Sequence, residues 1–412
     1  MYILYMWVFH LHHGRDLHIT RHVFAHHMHT NLTFFFSPST CQFLITEPSP
    51  HDQSLIQACR DGNVDTVKHL IEEAGADPTA ADPSTGITPL MAAAEEGHIP
   101  ILQYLLQEQG VPWNAQDAEG YTAGEYASGG KHPKAMQFLL DWAVSSELLL
   151  STAFGRTRSD AVKGNNEEKS DSEAYLQQKL ECHDSLILDQ QRDAVMMSWE
   201  APLMEKHADI IFGRGINGSG SGADSNPGSK DILNVGFGMG IIDEEIQKRH
   251  PRTHTIIEAH PDVYARMIEL GWDKKPGVEV LFGKWQEVVP TLIIGRGTRF
   301  DGIFWDTYAE YYEDQREFHE MLPKLLKPGG IYSFFNGLCP DNFFFHLTAG
   351  EIARRELNQL GLRVKYDAIP IDASSKEIWA GVANRYWHLP MYFIPTCELS
   401  LASPSAPAVE DA

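Results

Sequence analysis

The sequence predicts an α/β fold: a doubly wound, mostly parallel sheet with an all-α repeat unit ahead of it. Three observations carry that reading. The largely apolar run Asp231-Ile232-Leu233-Asn234-Val235 enters three glycines at alternate positions, Gly236, Gly238 and Gly240. A helix-like segment, Ile241 to Arg249, leaves them, and a second apolar run, Thr255-Ile256-Ile257, ends on Glu258. Upstream, residues 52 to 143 repeat a helical pattern. Strand, glycine turn, helix, strand, acid is the nucleotide-cofactor unit of such a sheet. Glycine lets backbone come close to a ligand. The acid at the tip of the second strand can accept both hydroxyls of a ribose.

The spacing separates two cofactors. A dinucleotide site wants G-x-G-x-x-G, with its last glycine where Ile241 stands. Here the form is G-x-G-x-G, which resembles an S-adenosylmethionine (SAM) turn, where no pyrophosphate sits on the helix start. The alternative for the glycines alone is a purely structural tight turn.

The segments that follow fit the same sheet. Leu281-Phe282-Gly283-Lys284-Trp285-Gln286 reads as a turn beside an adenine. Phe300 to Asp306 reads as strand four ending in a reactive acid, and Lys327-Pro328-Gly329-Gly330 as the turn into strand five. Upstream stand Met196-Met197-Ser198-Trp199-Glu200-Ala201-Pro202-Leu203-Met204. On these motifs the chain resembles the fungal-type protein arginine N-methyltransferase 2 family, the type IV, delta-nitrogen enzymes. Its catalytic half is also similar to guanidinoacetate methyltransferase. The resemblance covers roughly Ser54 to Cys397 and is most specific from Val195 to Asn336. It implies a Rossmann-like SAM-dependent methyltransferase domain that monomethylates the delta nitrogen of arginine in a protein, with a ribosomal protein among the candidates. It also implies a cytoplasmic and nuclear enzyme.

Composition sets outer bounds. The formal net charge is -23, from 56 acids against 33 Lys and Arg. That argues against direct nucleic-acid binding through phosphates and suits a basic protein partner; the plain alternative is solubility. Five cysteines, an odd count without regular spacing, suggest a reducing compartment. No apolar run reaches the ~18 residues of a membrane span.

Taken in order, residues 1 to 51 read as a disordered, His-rich tail. It has no basic n-region, and nothing organises His22, His26, His27 and His29 into a metal site, so no metal is expected. Residues 52 to 143 resemble ankyrin repeats, with Ala58 matching Ala93, Gly62 matching Gly97, and Leu70 matching Leu105. A third, degenerate copy begins at Gly120-Tyr121-Thr122. Such stacks commonly bind protein, and the alternative is a shield for the catalytic domain. Residues 144 to 185 read as a linker, with a helix resuming near Ser172. The methyltransferase domain takes 186 to 398, with a glycine-rich insertion from Gly213 to Lys230, and 399 to 412 read as a second tail.

A guanidinium is protonated at neutral pH. Two carboxylates can hold its planar fork, aim one nitrogen and stabilise the departing proton. The resemblance assigns this catalytic role to Glu200, in W-E-x-P-x-M, and Asp306, in D-T-Y. It gives the cofactor Met196, Trp199 and Met204, the turn residues Phe237, Gly238, Met239, Gly240, Ile241 and Ile242, then Glu258, Ala259, His260, Trp285, Gln286 and Asp306. Each has a plainer reading. Glu200 could be a solvated helix acid, Asp306 a helix cap, and Trp199, Trp285 and the methionines ordinary core. Tyr308, Glu310, Tyr311 and Tyr312 could face the peptide or simply form a loop packed over the site.

Overall fold

The computed structural model describes residues 5–11, 17–23, 51–153, 171–215 and 228–400. The chain divides into two compact units. One holds residues 3–156 and 342–349, the other 157–341 and 350–412 with the first two residues.

In the first unit, β1 (Tyr5–Leu11) and β2 (Leu17–Val23) pair as an antiparallel hairpin. This corrects the expectation of a structureless tail at those positions. Both segments are rich in aromatic and β-branched residues, which suit extended backbone. His26, His27 and His29 lie outside the described residues.

Helix pairs follow: α1 (Asp52–Arg60) with α2 (Val64–Glu72), α3 (Pro89–Glu95) with α4 (Ile99–Gln103), and α5 (Ala123–Gly129) with α6 (Pro133–Ala153). The starts are written locally. The side chain of Asn63 accepts the Thr66 amide, and the hydroxyls of Thr88 and Thr122 accept the amides of Met91 and Gly124. Ala58, Ala92, Ala93, Ala94 and Ala127 are all buried, so successive helices approach closely. Gly62 and Gly97 close the first helices with the same positive φ of 74°. A Cβ at either would lie 2.5 Å from the ring of His98 or His132, one repeat further on. Residues 342–349 count with this unit. Phe344 and Phe345 stand edge-on to Trp113, and the Phe344 amide donates to Glu125.

The linker expected over 144 to 185 is shorter in the structure. The run Leu148-Leu149-Leu150 carries α6 on to Ala153, with Leu150 buried. After the undescribed stretch, α7 (Asp171–Tyr175) and β3 (Glu181–Cys182) already belong to the second unit. The helix expected to resume near Ser172 ends at Tyr175.

There β3, β4 (Leu186–Leu188) and β5 (Ala194–Met197) form a small antiparallel sheet, and α8 (Ala201–Ile211) follows. The main sheet has seven strands. They are β6 (Asp231–Val235), β7 (Thr253–Glu258), β8 (Val278–Phe282), β9 (Phe300–Trp305), β10 (Leu326–Phe334), β11 (Leu362–Pro370) and β12 (Met391–Leu399). Their order is β11-β12-β10-β9-β6-β7-β8. The first five are parallel, and β12 runs antiparallel between β10 and β11. Helices α9 (Ile241–Lys248), α10 (Pro261–Glu269), α11 (Trp285–Pro290), α12 (Tyr312–Leu325) and α13 (Phe343–Gln359) make the crossovers. β6 and β9 are adjacent, and the strand order reverses between them. That is the switch point where ligands of open sheets bind, outside the carboxyl ends.

The central strands are buried along their length, as a sheet covered on both faces requires. Helix α8 lies directly on β9. A Cβ added at Gly302 would stand 2.4 Å from the carbonyl oxygen of Ile211. Gly302→Ala is expected to destabilise this unit by about 1–3 kcal/mol through overpacking. Chemical denaturation followed by tryptophan fluorescence measures it, and an unchanged midpoint would contradict the close packing.

Candidate active site

Three backbone bonds gather the strand ends. The Gly236 amide donates to the Ile257 carbonyl, the Asp306 amide to Val235, and the Gly283 amide to Glu258, each at 2.9 Å. They bring the tips of β6, β7, β8 and β9 around one pocket. Its walls include Gly236, Gly238, Glu258, Trp285 and Asp306.

The glycines answer to two demands. Gly236 has φ +96°, and a Cβ there would stand 1.8 Å from the Asp306 carbonyl oxygen. A side chain would drive β6 and β9 apart at the switch point. Gly238 has φ +55°, and a Cβ would meet Met196 Sδ at 2.5 Å. Both also line the pocket, so the tight-turn and ligand-approach readings are one. Beneath the turn, Asn234 Nδ2 donates to the Gly236 carbonyl and to Asp243, and the fully buried Asp243 lies 3.1 Å from His254 Nε2.

Glu258 is buried, and burial raises its pKa above the usual carboxylate range. The Phe237 amide donates to Oε2 at 2.9 Å and the His260 amide to Oε1 at 2.6 Å. One carboxylate thus ties the glycine turn to the start of α10. The Gly238 and Ala259 amides also favour its charged form. His260 is neutral: Nδ1 accepts the Asp262 amide, so Nε2 carries the hydrogen and donates to the Tyr175 carbonyl. Burial holds its pKa down. It is a fastener for residues 171–180, not a base.

Met196, Ala259, Trp285 and Gln286 line the pocket as expected. Glu310 holds Trp285 and Gln286, accepting from Trp285 Nε1 at 3.0 Å and Gln286 Nε2 at 2.8 Å. It also accepts from the Thr307 hydroxyl. The thought that Glu310, Tyr311 and Tyr312 could face a peptide therefore fails in part: Glu310 points inward, and the Tyr312 hydroxyl pairs with Glu356 on α13. Other expected cofactor residues stand behind the wall. Phe237 packs on Trp272, Met204 and Ile242 are core, and Gly240 starts α9 ahead of Ile241. Met239 packs against the core and donates its amide to Met196 Sδ. Trp199 faces Trp379 and Tyr386 instead.

Glu200 is withdrawn from water, which rules out a solvated helix acid, and Asp306 is half-buried. Glu200 is 4% exposed on the turn Ser198–Glu200 that opens α8. Its Oε1 accepts the Tyr386 hydroxyl. Burial, and then the nearby charge of Asp306, push its pKa well above the usual range. Asp306 lines the pocket. Burial raises its pKa to about 7. It caps no helix, since α12 begins at Tyr312 behind a Tyr311–Asp314 capping box.

Sequence reasoning missed three contributors. Tyr175 lies against His260 and Tyr308 at 4.8 and 4.9 Å and lines the pocket. Trp379 and Tyr386 come from the loop between β11 and β12. An aromatic inside a supposed linker was the available signal for Tyr175. For the other two, the length of that loop was the signal.

Comparison with known proteins agrees with this geometry. Residues 164–345 match the family described as guanidinoacetate N-methyltransferase, and residues 55–147 match ankyrin repeats in three copies. Protein arginine N-methyltransferase 2 of Saccharomyces cerevisiae is 33% identical over 69% of this chain and 74% of its own length. The Candida glabrata protein of that name is 31% identical over the same shares. The chain belongs to the protein arginine N-methyltransferase 2 family. The Yarrowia lipolytica member is 38% identical over 54% of this chain and 46% of its own length. The chain thus spans about half the length of several members it matches. In this family context the switch-point pocket and the two acids beside it form one candidate centre.

The raised pKa of Asp306 makes a stability prediction. The fold favours its protonated form, so that contribution is full below the ordinary value of 3.8 and is lost as pH rises through about 7. Asp306→Asn does not titrate. Its melting temperature should gain on wild type progressively between those two values. A constant gap across that window would contradict the assignment.

Proposed function

We propose that this chain is a SAM-dependent protein arginine N-methyltransferase of type IV, monomethylating the delta nitrogen of arginine. Two carboxylates beside a cofactor-type pocket, Glu200 buried and Asp306 half-buried, with no permanent cation against them among the described residues, carry the reading. Buried charge of one sign is expensive unless a cation joins it.

The chain's residues fit SAM. The turn is bare at Gly236 and Gly238, Glu258 lines the pocket at the tip of β7, and Trp285 offers an indole wall. When bound, SAM would supply a methyl group on a sulfonium. The protein's task is then alignment. Asp306 and Glu200 together hold the guanidinium and aim one nitrogen. As its proton leaves, the carboxylates stabilise the change and Asp306 is placed to receive it. Entry of the cation lowers the pKa of both acids, so capture of substrate below about pH 7 releases protons. The delta position rests on the family resemblance. The acidic chain suits a basic protein substrate, ribosomal proteins included, and the ankyrin unit is proposed to bind it. The compartments proposed are cytoplasm and nucleus.

A second reading follows from the guanidinoacetate N-methyltransferase match: a small guanidino acid as substrate. Side-by-side assays with guanidinoacetate and arginine-bearing protein decide between them.

Gly238→Val would set a branched side chain against Met196 in a left-handed conformation and close the turn. SAM affinity by calorimetry should vanish while the sheet stays folded; retained affinity would overturn the cofactor assignment. Asp306→Asn and Glu200→Gln should each keep SAM affinity and lose ~100-fold or more in single-turnover methyl transfer. The double variant should lose less than the product of the two, because the acids act as one clamp. Near-wild-type turnover in Asp306→Asn would remove the mechanism.

A further inference from the structure

Glu200 does not stand alone. The Tyr386 hydroxyl donates to its Oε1, and the Trp199 indole Nε1 donates to that hydroxyl at 3.0 Å. An indole N–H can only donate. The phenol oxygen accepts it, and with Glu200 ionised the phenol's single proton goes to Glu200. The direction of the chain Trp199, Tyr386, Glu200 is fixed by chemistry rather than by choice of rotamer.

The phenol is also fixed in space. Its ring stands edge-on to Trp379 at 4.9 Å and tilted on Trp199 at 6.0 Å. The loop that carries it is fastened to the β4–β5 turn. Arg192 donates to the Gly381 carbonyl and accepts the Ala383 amide, and Asn384 donates to Asp193. Trp379 in turn donates to the Ala373 carbonyl at 2.7 Å. So long a connection held this firmly is functional more often than not.

We infer that Tyr386 is a positioning residue: by engaging Oε1 of Glu200 it leaves Oε2 to meet the guanidinium, and so sets which nitrogen turns toward the methyl donor. The inference rests on the proposed arginine reading of the site. An unconstrained carboxylate takes a guanidinium through two parallel bonds along either edge of the fork. With one lone pair of Oε1 taken by the phenol, Oε2 becomes the favoured acceptor and the paired grip on Glu200 is weakened. Two different nitrogens must then meet two different acids, Glu200 and Asp306, and the third is left for transfer. The same bond steadies the charged form of Glu200. The groups facing that carboxylate are Asp306, whose charge disfavours ionisation, and Tyr386 and the Met197 amide, which favour it.

The test uses the full chain, with S-adenosylhomocysteine present and N-acetyl-arginine amide as the probe, titrated by calorimetry from pH 5.5 to 8.5. Tyr386→Phe keeps the ring and removes the proton. Probe affinity should fall about tenfold, and the pH at which binding reaches half its maximum should rise. Trp199→Phe, which frees the phenol to rotate, should move the midpoint the same way by less. In a Glu200→Gln background Tyr386→Phe should change nothing further. On a peptide substrate, Tyr386→Phe should yield more than one positional isomer of monomethylarginine where the parent yields one. An unmoved midpoint together with an unchanged product overturns the inference, as does full additivity with Glu200→Gln. Failure of the parent protein to bind the probe overturns the arginine reading and the inference with it. Binding by the parent, unaffected by Tyr386→Phe, overturns the inference alone.

Discussion

Two acids held near each other, one buried and one half-buried, set the terms for everything around them. Glu200 arrives at the start of α8 and Asp306 at the end of β9. Neither acid has a permanent cation among the described residues, and each is pushed toward its protonated form. The surroundings are consistent with keeping that arrangement available. The backbone bond from Asp306 to Val235 fixes one acid to the sheet. The Trp199–Tyr386 chain fixes the other to a loop near the far end of the sequence.

The pocket beside them follows a different economy. Glu258 spends its hydrogen-bonding capacity on backbone amides and so shapes the glycine turn. Glu310 does the same for Trp285 and Gln286. Both are acids, yet their roles are to organise polar donors, whereas Glu200 and Asp306 are left for a cation. Position relative to the donors, not residue type, separates the two pairs.

Much of this was legible in the chain and some was not. The G-x-G-x-G turn, Glu258 and Asp306 sit at strand ends, where local pattern and topology agree, and the structure places them around one pocket. The repeat glycines were legible for the same reason, since each closes its helix with the same backbone conformation. Phe237, Met204 and Ile242 turn their side chains into the core, and a contiguous motif says nothing about which side of the backbone each side chain takes. Tyr386 was invisible because 186 residues separate it from Glu200. No spacing rule reaches that far; only the sheet order, which places β12 inside β10 and β11, brings the two together.

That sheet order bears on how the molecule is made. On the ribosome β10 and β11 leave the tunnel before β12, yet β12 must lie between them. Until it does, β10 has an open edge, the kind of surface that recruits other chains. The loop carrying Tyr386 cannot settle before its two flanking strands are in register, nine residue pairs in all. Glu200 is therefore synthesised long before its partner exists. A nascent chain can form the glycine-turn pocket while Glu200 still lacks its hydroxyl partner, so the paired acids are complete only with the last strand of the sheet.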